Sequence, residues 1–436
     1  MAVLTPPDGE RHDPYAALRV PAFRWFVVSL MAMTIGVQIQ GIAVAWQLYA
    51  ATNDPLALGL AGLAEVLPFL ALSLPAGHWA DRHDRRWLSL LGICVLVLCA
   101  ALFLGMTVAL HATGVAGVTV GATRWSSPAA IYAVLAVSGV SRAILQPARQ
   151  ALGTMIVPPA LYANAATWRS SIWQFASVLG PAIGGLLFAF AGALVTYVVV
   201  FTLLLLAWWA MSLVRAPDGA TAQQRALVGR TGAGILEGVR FVLRDRLVLA
   251  ALSLDLFAVL FGGATALLPV FTKTVLHVSP EWLGYLRAAP AVGAVTMALL
   301  IAHQPPMTRA GRTLLLAVGT WGLSIIGFAL SRNVWLSCAL LAMGGAVDSV
   351  SVVIRSTLLQ ARTPPHLMGR VMAVNSIFIG SANEIGAFES GLTARLFGAV
   401  NSVLIGGVAT LAVVVSMAVL SPTLRRLERI DAAPQG

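Results

Sequence analysis

Charged side chains are scarce in this sequence. Of its 436 residues only 10% are Asp, Glu, Lys or Arg, whereas 58% are hydrophobic. Soluble globular domains contain about 25% charged and about 45–50% apolar residues. This deficit, together with a mean hydropathy of +0.85, excludes an ordinary soluble enzyme or binding domain and predicts a polytopic membrane protein.

Cysteine and lysine are also rare, which narrows the expected chemistry. Cys94, Cys99 and Cys338 all lie in apolar runs, so we expect neither a disulfide nor a metal site, and no cofactor. Lys273 is the single lysine among 28 basic residues, so the net charge of +11 comes from arginine. In a membrane protein this excess is expected in cytoplasmic loops, which argues against a nucleic-acid partner.

Apolar runs of about 20 residues recur along the chain, each long enough to cross the bilayer core as a helix. Membrane-spanning strands would instead alternate apolar and polar residues over about ten positions. We therefore predict an all-α membrane protein. Its twelve transmembrane helices are expected at residues 25–50, 56–77, 87–110, 128–150, 165–190, 194–214, 248–272, 280–302, 313–331, 334–359, 367–393 and 400–421.

The arginines are unequally distributed between the two sides of these spans. One side has only Arg124, Lys273, Arg332 and Arg395, and the other has most of the remaining basic residues. Because basic residues collect in cytoplasmic loops, both termini are predicted to be cytoplasmic. The expected divisions are a cytoplasmic segment 1–24, a six-helix half 25–214, a cytoplasmic linker with an amphipathic helix 215–247, a second six-helix half 248–421, and a cytoplasmic tail 422–436.

The two halves show signs of an internal repeat. A constant offset of 206 residues aligns Arg149 with Arg355, Pro158–Pro159 with Pro364–Pro365, and Gly180 with Gly386. Charge, paired prolines and glycine match together without a gap. The chain is therefore predicted to contain two parallel six-helix pseudo-repeats.

A densely charged stretch lies between the second and third apolar runs. The segment Gly77-His-Trp-Ala-Asp-Arg-His-Asp-Arg-Arg86 resembles the loop between helices two and three of the major facilitator superfamily. That family usually has glycine where this chain has Asp84. The resemblance implies a tight turn in water and a gating motif, although orientation alone is an alternative role. Asp81 is expected to cap the next helix or to pair with an arginine. The motif comprises Gly77, Asp81, Arg82, Arg85 and Arg86.

A second motif lies in the fifth span. Gly180-Pro181-Ala182-Ile183-Gly184-Gly185 resembles the G-P-x-x-G-G core of the fifth-helix motif in exporters of this superfamily. The resemblance implies export and assigns the motif to Gly180, Pro181, Gly184 and Gly185. Ordinary packing of small residues between helices is the alternative.

Ionisable residues inside the spans are energetically unfavourable and usually functional. Arg142 and Asp348 share the offset of 206 residues. By resemblance they line a central cavity from helices four and ten, although each can instead pair locally. Glu65, Asp255 and Glu384 are candidates for proton coupling, with structural pairing to arginines as the alternative. The full set of candidate substrate-binding or proton-coupling residues is Gln38, Gln40, Glu65, Arg142, Asp255, Asp348, Asn383 and Glu384.

Three stretches resemble the enterobactin exporter branch: 45–52, 62–68 and 369–391, the last of which includes Asn383 and Glu384. The resemblance implies a monomer of the bacterial cytoplasmic (inner) membrane. It would export a siderophore or related small molecule by proton-coupled alternating access. Alternatives are a broad-specificity proton/drug antiporter, a solute importer and a non-transporting scaffold. The sequence contains no clustered set of catalytic residues, so it does not indicate an enzyme. It also contains no Walker sequence, so ATP is not expected to be the energy source.

Overall fold

The computed structural model describes residues 13, 15–112, 127–158, 161–215, 231–279, 281–303, 309–364 and 367–428. Within these ranges the chain is helical and contains no strand. This confirms the predicted all-α fold class. The long helices are α1 Pro21–Thr52, α2 Pro55–Arg82, α3 Arg85–Ala112, α4 Pro128–Met155, α5 Tyr162–Ser212, α6 Thr231–Arg244, α7 Arg246–Phe261, α8 Glu281–Ala302, α9 Ala310–Leu330, α10 Val334–Arg362, α11 Met368–Phe397 and α12 Ala399–Leu420.

Local sequence signals explain several helix starts. Asp54, Ser127 and Asp245 each precede a helix and accept a hydrogen bond from a backbone N–H of its first turn. Proline occupies the first helical position of α1, α2 and α4, where its missing N–H would have no partner in any case. Asp54 lies in the two-residue connection between α1 and α2, and Asp245 alone separates α6 from α7.

Ten helical stretches among the described residues are long and apolar enough to cross a membrane. One of them belongs to α5, whose 51 residues cover two predicted spans, 165–190 and 194–214. Non-helical backbone at Gly192 divides α5 into segments of about 30 and about 20 residues, each long enough to cross the bilayer core of about 30 Å. The helix α11 occupies the predicted run 367–393 but is not one of the ten. The total of twelve spans therefore stays a prediction.

The expected break between the fifth and sixth spans is a single-residue kink. Gly192 has φ 76° and ψ 178°, outside the helical region, while hydrogen bonding continues on either side. Only glycine adopts this conformation without strain. One residue thus replaces the connection expected at residues 191–193.

The predicted span at residues 248–272 is not one continuous helix. The helix α7 ends at Phe261 and continues as short helical turns, Gly263–Thr265 and Leu268–Val270, and a π-helical turn, Phe271–Val275. A methyl group at Gly262 would lie 1.7 Å from Cη2 of Trp321. The glycine is therefore required where α9 crosses this break, and this packing is invisible in a hydropathy profile.

The same pairwise helix packing occurs twice. Here, the first half means α1–α5 and the second half means α7–α12. In the first half α4 packs on α2 and α3, and α3 packs on α5; in the second half α10 packs on α8 and α9, and α9 packs on α12. The two halves meet mainly where α2 packs on α11 and where α5 packs on α8.

The charged segment 77–86 differs from the expected turn in water. The helix α2 continues through it to Arg82, and only His83 and Asp84 separate α2 from α3. A helix of 28 residues measures about 42 Å and extends beyond the hydrocarbon core. Its charged last turns are therefore compatible with helix, because a helix of this length does not have to place them in that core.

The predicted amphipathic helix of the linker is α6, Thr231–Arg244. Val242 is only 4% exposed and packs in a cluster with Val248, Leu359, Val371 and Val374. The apolar face of α6 thus packs on the second half, at least in part, rather than facing only lipid. Residues 216–230 of the linker lie outside the described residues.

Candidate functional site

The central ion pair of the first half joins α2 to α4. Arg142 Nη1 lies 2.6 Å from Oε1 of Glu65. Ser138, one helical turn before Arg142, donates its hydroxyl to the same oxygen at 3.3 Å. Close packing brings these groups together, because a methyl group at Gly139 would lie 2.1 Å from the Glu65 carbonyl oxygen. Arg142 therefore makes the local pairing that the sequence left as an alternative.

A second carboxylate approaches this pair from the other half. Glu384 lies on α11, and its Oε2 would be 2.8 Å from a methyl group at Gly62. Gly62 precedes Glu65 by one helical turn on α2. Glu384 therefore contacts α2 one helical turn away from Glu65. We call Glu65, Arg142 and Glu384 the inter-half cluster: two carboxylates and one guanidinium at the α2–α11 contact.

The second half has its own buried ion pair. Arg355 Nη1 on α10 contacts Oδ2 of Asp255 on α7, and the two side chains are only 8% and 10% exposed. Asp348 lies two helical turns before Arg355 on α10 and is exposed; its charge acts on Asp255. The equivalence of Arg142 and Asp348 therefore does not place them in one ion pair here. Their predicted role in a shared cavity stays a prediction.

The polar candidates of α1 and α11 have different surroundings. Gln38 donates Nε2 to the Ser177 carbonyl oxygen at 3.3 Å, which ties α1 to α5. Gln40 is 4% exposed, and its Oε1 has no partner among the described residues. Asn383 is exposed and donates Nδ2 to the Ile379 carbonyl oxygen of its own helix at 2.9 Å. Of these three, Asn383 is the direct neighbour of Glu384.

The glycines of the α5 motif permit close packing in two directions. A methyl group at Gly180 would lie 2.6 Å from Cβ of Gln38, and one at Gly184 would lie 2.9 Å from Cα of Ile39. These two glycines face α1 inside the first half. A methyl group at Gly185 would lie 2.9 Å from Cα of Gly284 on α8, across the boundary between the halves. Pro181 lies inside the helix beside them.

The arginines of the charged segment bind the ends of neighbouring helices. Arg86 donates Nη2 to the Ser212 carbonyl oxygen at 2.6 Å, at the end of α5. Arg85 Nη1 lies 2.9 Å from the sulfur of Met155, the last residue of α4. Asp84 caps α3 by accepting from the backbone N–H groups of Arg86 and Trp87 at 2.7 and 3.3 Å. Asp84 thus occupies the cap position of α3, one of the two roles expected for Asp81. Whether Asp81 pairs with an arginine stays a prediction, because nothing is described of Gly77, Asp81 and Arg82 beyond their helical backbone.

Two polar contacts that the sequence did not single out join the halves at the end of the bundle where α1 meets α2. Asp54 Oδ2 lies 3.2 Å from Arg395 Nη1. Asn53 accepts a hydrogen bond from Lys273 Nζ at 2.5 Å, and Lys273 also lies 5.9 Å from the centre of the Tyr49 ring. We call Asn53, Asp54, Lys273 and Arg395 the end latch.

One signal in the sequence pointed to this latch. Lys273 and Arg395 are two of only four basic residues assigned to their side of the spans. Cations on the side where they are rare have a reason to be there other than orientation. Their partners, Asn53 and Asp54, resemble ordinary helix-boundary residues in sequence. Nothing local distinguishes them from a cap.

Among the described residues, no group of three or more His, Cys, Asp or Glu side chains is placed to hold a metal ion. The three cysteines are free thiols. The ionisable side chains brought together in the bundle are instead arginine–carboxylate combinations.

Comparison with known proteins identifies the family of this chain. The profile of the transmembrane secretion effector family matches residues 12–436. The chain is 28% identical to the multidrug efflux pump Tap of Mycobacterium tuberculosis (strain ATCC 25618 / H37Rv) over 392 residues, which cover 86% of this chain and 87% of Tap. It is 26% identical to the enterobactin exporter EntS of Citrobacter koseri over 431 residues, covering 95% of each chain.

A solved structure shows the same fold. The crystal structure of the nucleoside transporter NupG superposes with a TM-score of 0.63 at 10% identity, covering 92% of this chain and 99% of NupG. At that identity the likeness concerns the fold alone. The family profile and the relatives confirm the resemblance seen in the sequence. The chain is a multi-pass membrane protein that belongs to the transmembrane secretion effector family of the major facilitator superfamily.

Proposed function

We propose that this protein is a proton-driven exporter that moves a small polar molecule out of the cytoplasm by alternating access. The inter-half cluster carries this proposal. Its members come from both halves, and they lie at the α2–α11 contact, which must change when the halves rock. A charged group there has its surroundings altered at each transport step, which is the condition for coupling.

The charge balance of the cluster favours a proton as the coupling ion. Glu65 and Glu384 together carry two negative charges, and Arg142 carries one positive charge. Uncompensated charge at membrane depth costs about 2.5–3.5 kcal/mol on translocon-insertion scales. A proton on Glu384 neutralises the cluster, and its release leaves Glu384 free to separate from α2. Glu384 is therefore the proposed proton carrier, and the Glu65–Arg142 pair holds it in position.

The conformation fits one stage of that cycle. The positive-inside rule assigns the end latch to the outer face and both termini to the cytoplasm of a bacterial inner membrane. The latch contacts, Asp54–Arg395 and Asn53–Lys273, together with the Gly185–Gly284 contact, hold the outer ends of the halves together. We propose that this is the state with the outer gate closed, in which substrate enters from the cytoplasm.

The charged segment 77–86 is the proposed inner gate. In the closed form of this gate, its arginines and Asp81 would hold helix ends of the opposite half. In this conformation Arg86 and Arg85 are engaged within the first half, at Ser212 and Met155. The proposed unit is a monomer, since one chain supplies both halves of the pathway.

The relatives favour two different substrate classes. The enterobactin exporter relative favours a siderophore or related metabolite, and the multidrug pump relative favours a broad-specificity proton/drug antiporter. The glycines of the α5 motif and the family membership favour export over import. A non-transporting scaffold would not need the ionisable side chains of the inter-half cluster.

Uptake into inverted membrane vesicles tests the proposal. Vesicles from cells expressing the protein are given enterobactin, tetracycline and ethidium, with and without an imposed proton gradient. We expect uptake of at least one compound that requires the gradient and is lost in Glu384→Gln. Glu389→Gln, on the same helix, is the matched control and should retain uptake. Gradient-independent uptake, or full activity of Glu384→Gln, would contradict proton coupling at this residue.

A further inference from the structure

Each half holds an arginine on its equivalent fourth helix, Arg149 on α4 and Arg355 on α10. The offset of 206 residues that relates the halves relates these two arginines. Both side chains turn toward the first helix of their own half, α1 or α7. Arg149 and Arg355 therefore occupy equivalent positions in the two halves.

The partners at this repeated position differ in charge. Arg355 pairs with Asp255 on α7, whereas Arg149 Nη1 points at the sulfur of Met33 on α1 at 3.6 Å. Met33 follows Arg24 at the same spacing as Asp255 follows Arg246. Met33 thus stands where the second half has an aspartate. The second half neutralises its arginine, and the first half does not.

The surroundings of Arg149 make this asymmetry stronger. Arg169 lies beside it, because its Nη1 would be 3.0 Å from a methyl group at Gly153, one helical turn after Arg149, and Arg142 lies two turns before it on the same helix. Arg169 donates Nη1 to the Gln150 carbonyl oxygen at 3.2 Å, and Arg142 is neutralised by Glu65. Among the described residues, no carboxylate bonds to Arg149. A thioether is a weak acceptor that carries no charge.

We infer that the exported substrate carries an acidic group, and that Arg149 is the residue that binds it. This inference rests on the proposed export function and names the substrate class. Arginine inside a membrane span normally pairs with an acid, and its planar guanidinium matches carboxylate, sulfonate or phosphate oxygens through two parallel hydrogen bonds. Arg149 lies six residues before the end of α4, about 9 Å along the helix, at the side from which substrate enters.

Binding of two probes of one skeleton tests this directly. The purified full-length protein in non-ionic detergent is titrated with anilinonaphthalenesulfonate, an anion, and with phenylnaphthylamine, the same skeleton without the sulfonate. Binding is followed by quenching of tryptophan fluorescence. A hydrogen bond to a charged group is worth about 1.5–3 kcal/mol, so Arg149→Met should weaken binding of the anion at least about tenfold relative to the neutral probe. Arg149→Lys should retain part of the preference.

Met33 offers a matched pair of variants at the same site. Met33→Asp supplies the carboxylate that the second half has, so it should occupy Arg149 and abolish the preference for the anion. Met33→Asn has nearly the same size without the charge and should keep the preference. If Met33→Asp does not fold, the Arg149 variants still decide the matter. An unchanged ratio of anion to neutral binding in Arg149→Met would overturn the inference and leave Arg149 only a role in helix orientation.

The binding assay is independent of the transport assay, so the two failures are distinguishable. Gradient-driven uptake combined with no effect of Arg149→Met on probe preference would overturn the inference alone. Loss of the anion preference in Arg149→Met, without gradient-driven uptake of any compound, would overturn the export proposal and keep Arg149 as an anion site.

Discussion

The two halves of this protein use the same helix packing but place their charges differently. In the first half Arg142 pairs with Glu65, is 39% exposed and lies beside the other half. In the second half Arg355 pairs with Asp255, is 8% exposed and stays within its own half. One pair lies near the contact between the halves, and the other lies within one half. Equivalent helices thus carry arginines with different partners and different exposure.

A further difference concerns the helices that carry Glu65 and Arg287. A constant offset relates Gly62 to Gly284, Glu65 to Arg287 and Pro68 to Pro290. Since Arg142 is equivalent to Asp348, Arg287 and Asp348 occupy the positions of Glu65 and Arg142 with the two charges reversed. Among the described residues Arg287 and Asp348 form no ion pair, and Nε of Arg287 is buried without a partner. Duplication thus preserved the positions of these charges and not their signs or their contacts.

The largest effect is expected from breaking the enclosed pair of the second half. Asp255→Leu leaves the charge of Arg355 buried without a partner, which should lower the free energy of unfolding by about 3–5 kcal/mol. Thermal unfolding of the purified protein measures this. The double variant Asp255→Leu with Arg355→Met should recover most of the loss. A stable Asp255→Leu single variant would show that the pair is not structural.

Breaking the pair of the first half should instead affect transport. Glu65→Gln removes the charge that holds Arg142 and should reduce gradient-driven uptake by about tenfold or more, since a hydrogen bond to a charged group is worth about 1.5–3 kcal/mol. The thermal midpoint should fall less than for Asp255→Leu, because Arg142 is partly accessible. Uptake and unfolding are measured on the same preparations. Equal losses of stability at both sites would remove the distinction between the halves.

The sequence predicted the fold well and the partners of its charges poorly. Hydropathy and the offset of 206 residues depend on the chain alone, so the helical runs and the equivalence of Arg142 and Asp348 were available from it. The pairing of Arg142 with Glu65 depends on how closely α2 approaches α4 at Gly139. That distance is set by packing between residues far apart in the chain, which no spacing rule contains.

The predicted ends of helices were wrong where contacts between distant parts of the chain override the local sequence signals. The break after Phe261 lies where Trp321 of α9 packs against Gly262, and the local sequence does not show this contact. The helix α2 continues through Gly77–Arg82, beyond its apolar stretch Pro55–Ser73. The roles of Asn53 and Asp54 in the end latch were not predicted. In the sequence, Asp54 is already explained as the cap of α2. The second role appears only when Arg395 is placed beside it.

Larger side chains at the glycines of the α5 motif distinguish contacts between the halves from contacts within the first half. Gly185→Val places methyl groups against Gly284 on the other half and should destabilise this contact by about 1–3 kcal/mol. Uptake should fall, while Gly41→Ala, which meets no atom within 4 Å, should leave uptake unchanged. Gly184→Val obstructs α1 within the first half and should lower stability instead. A transport defect of the same size in Gly41→Ala would show that any glycine matters equally.

The smallest effect is expected at the end latch. Asp54→Asn, with Arg395 56% exposed, should change stability by no more than about 1 kcal/mol because exposed ion pairs contribute little. It should nevertheless shift the halves apart at this end. Distances between spin labels on the outer ends of α2 and α11 measure the shift. An unchanged distance distribution in Asp54→Asn combined with Lys273→Gln would show that the latch does not hold the outer gate.

The most direct test of coupling at the boundary between the halves is proton movement driven by substrate. The protein is reconstituted in liposomes that contain a pH-sensitive dye, and enterobactin or another compound taken up in the vesicle assay is added without an imposed gradient. The wild type and Glu389→Gln should move protons when substrate is added, and Glu384→Gln should exchange substrate without moving protons. Proton movement of wild-type size in Glu384→Gln would contradict the assignment of coupling to the inter-half cluster.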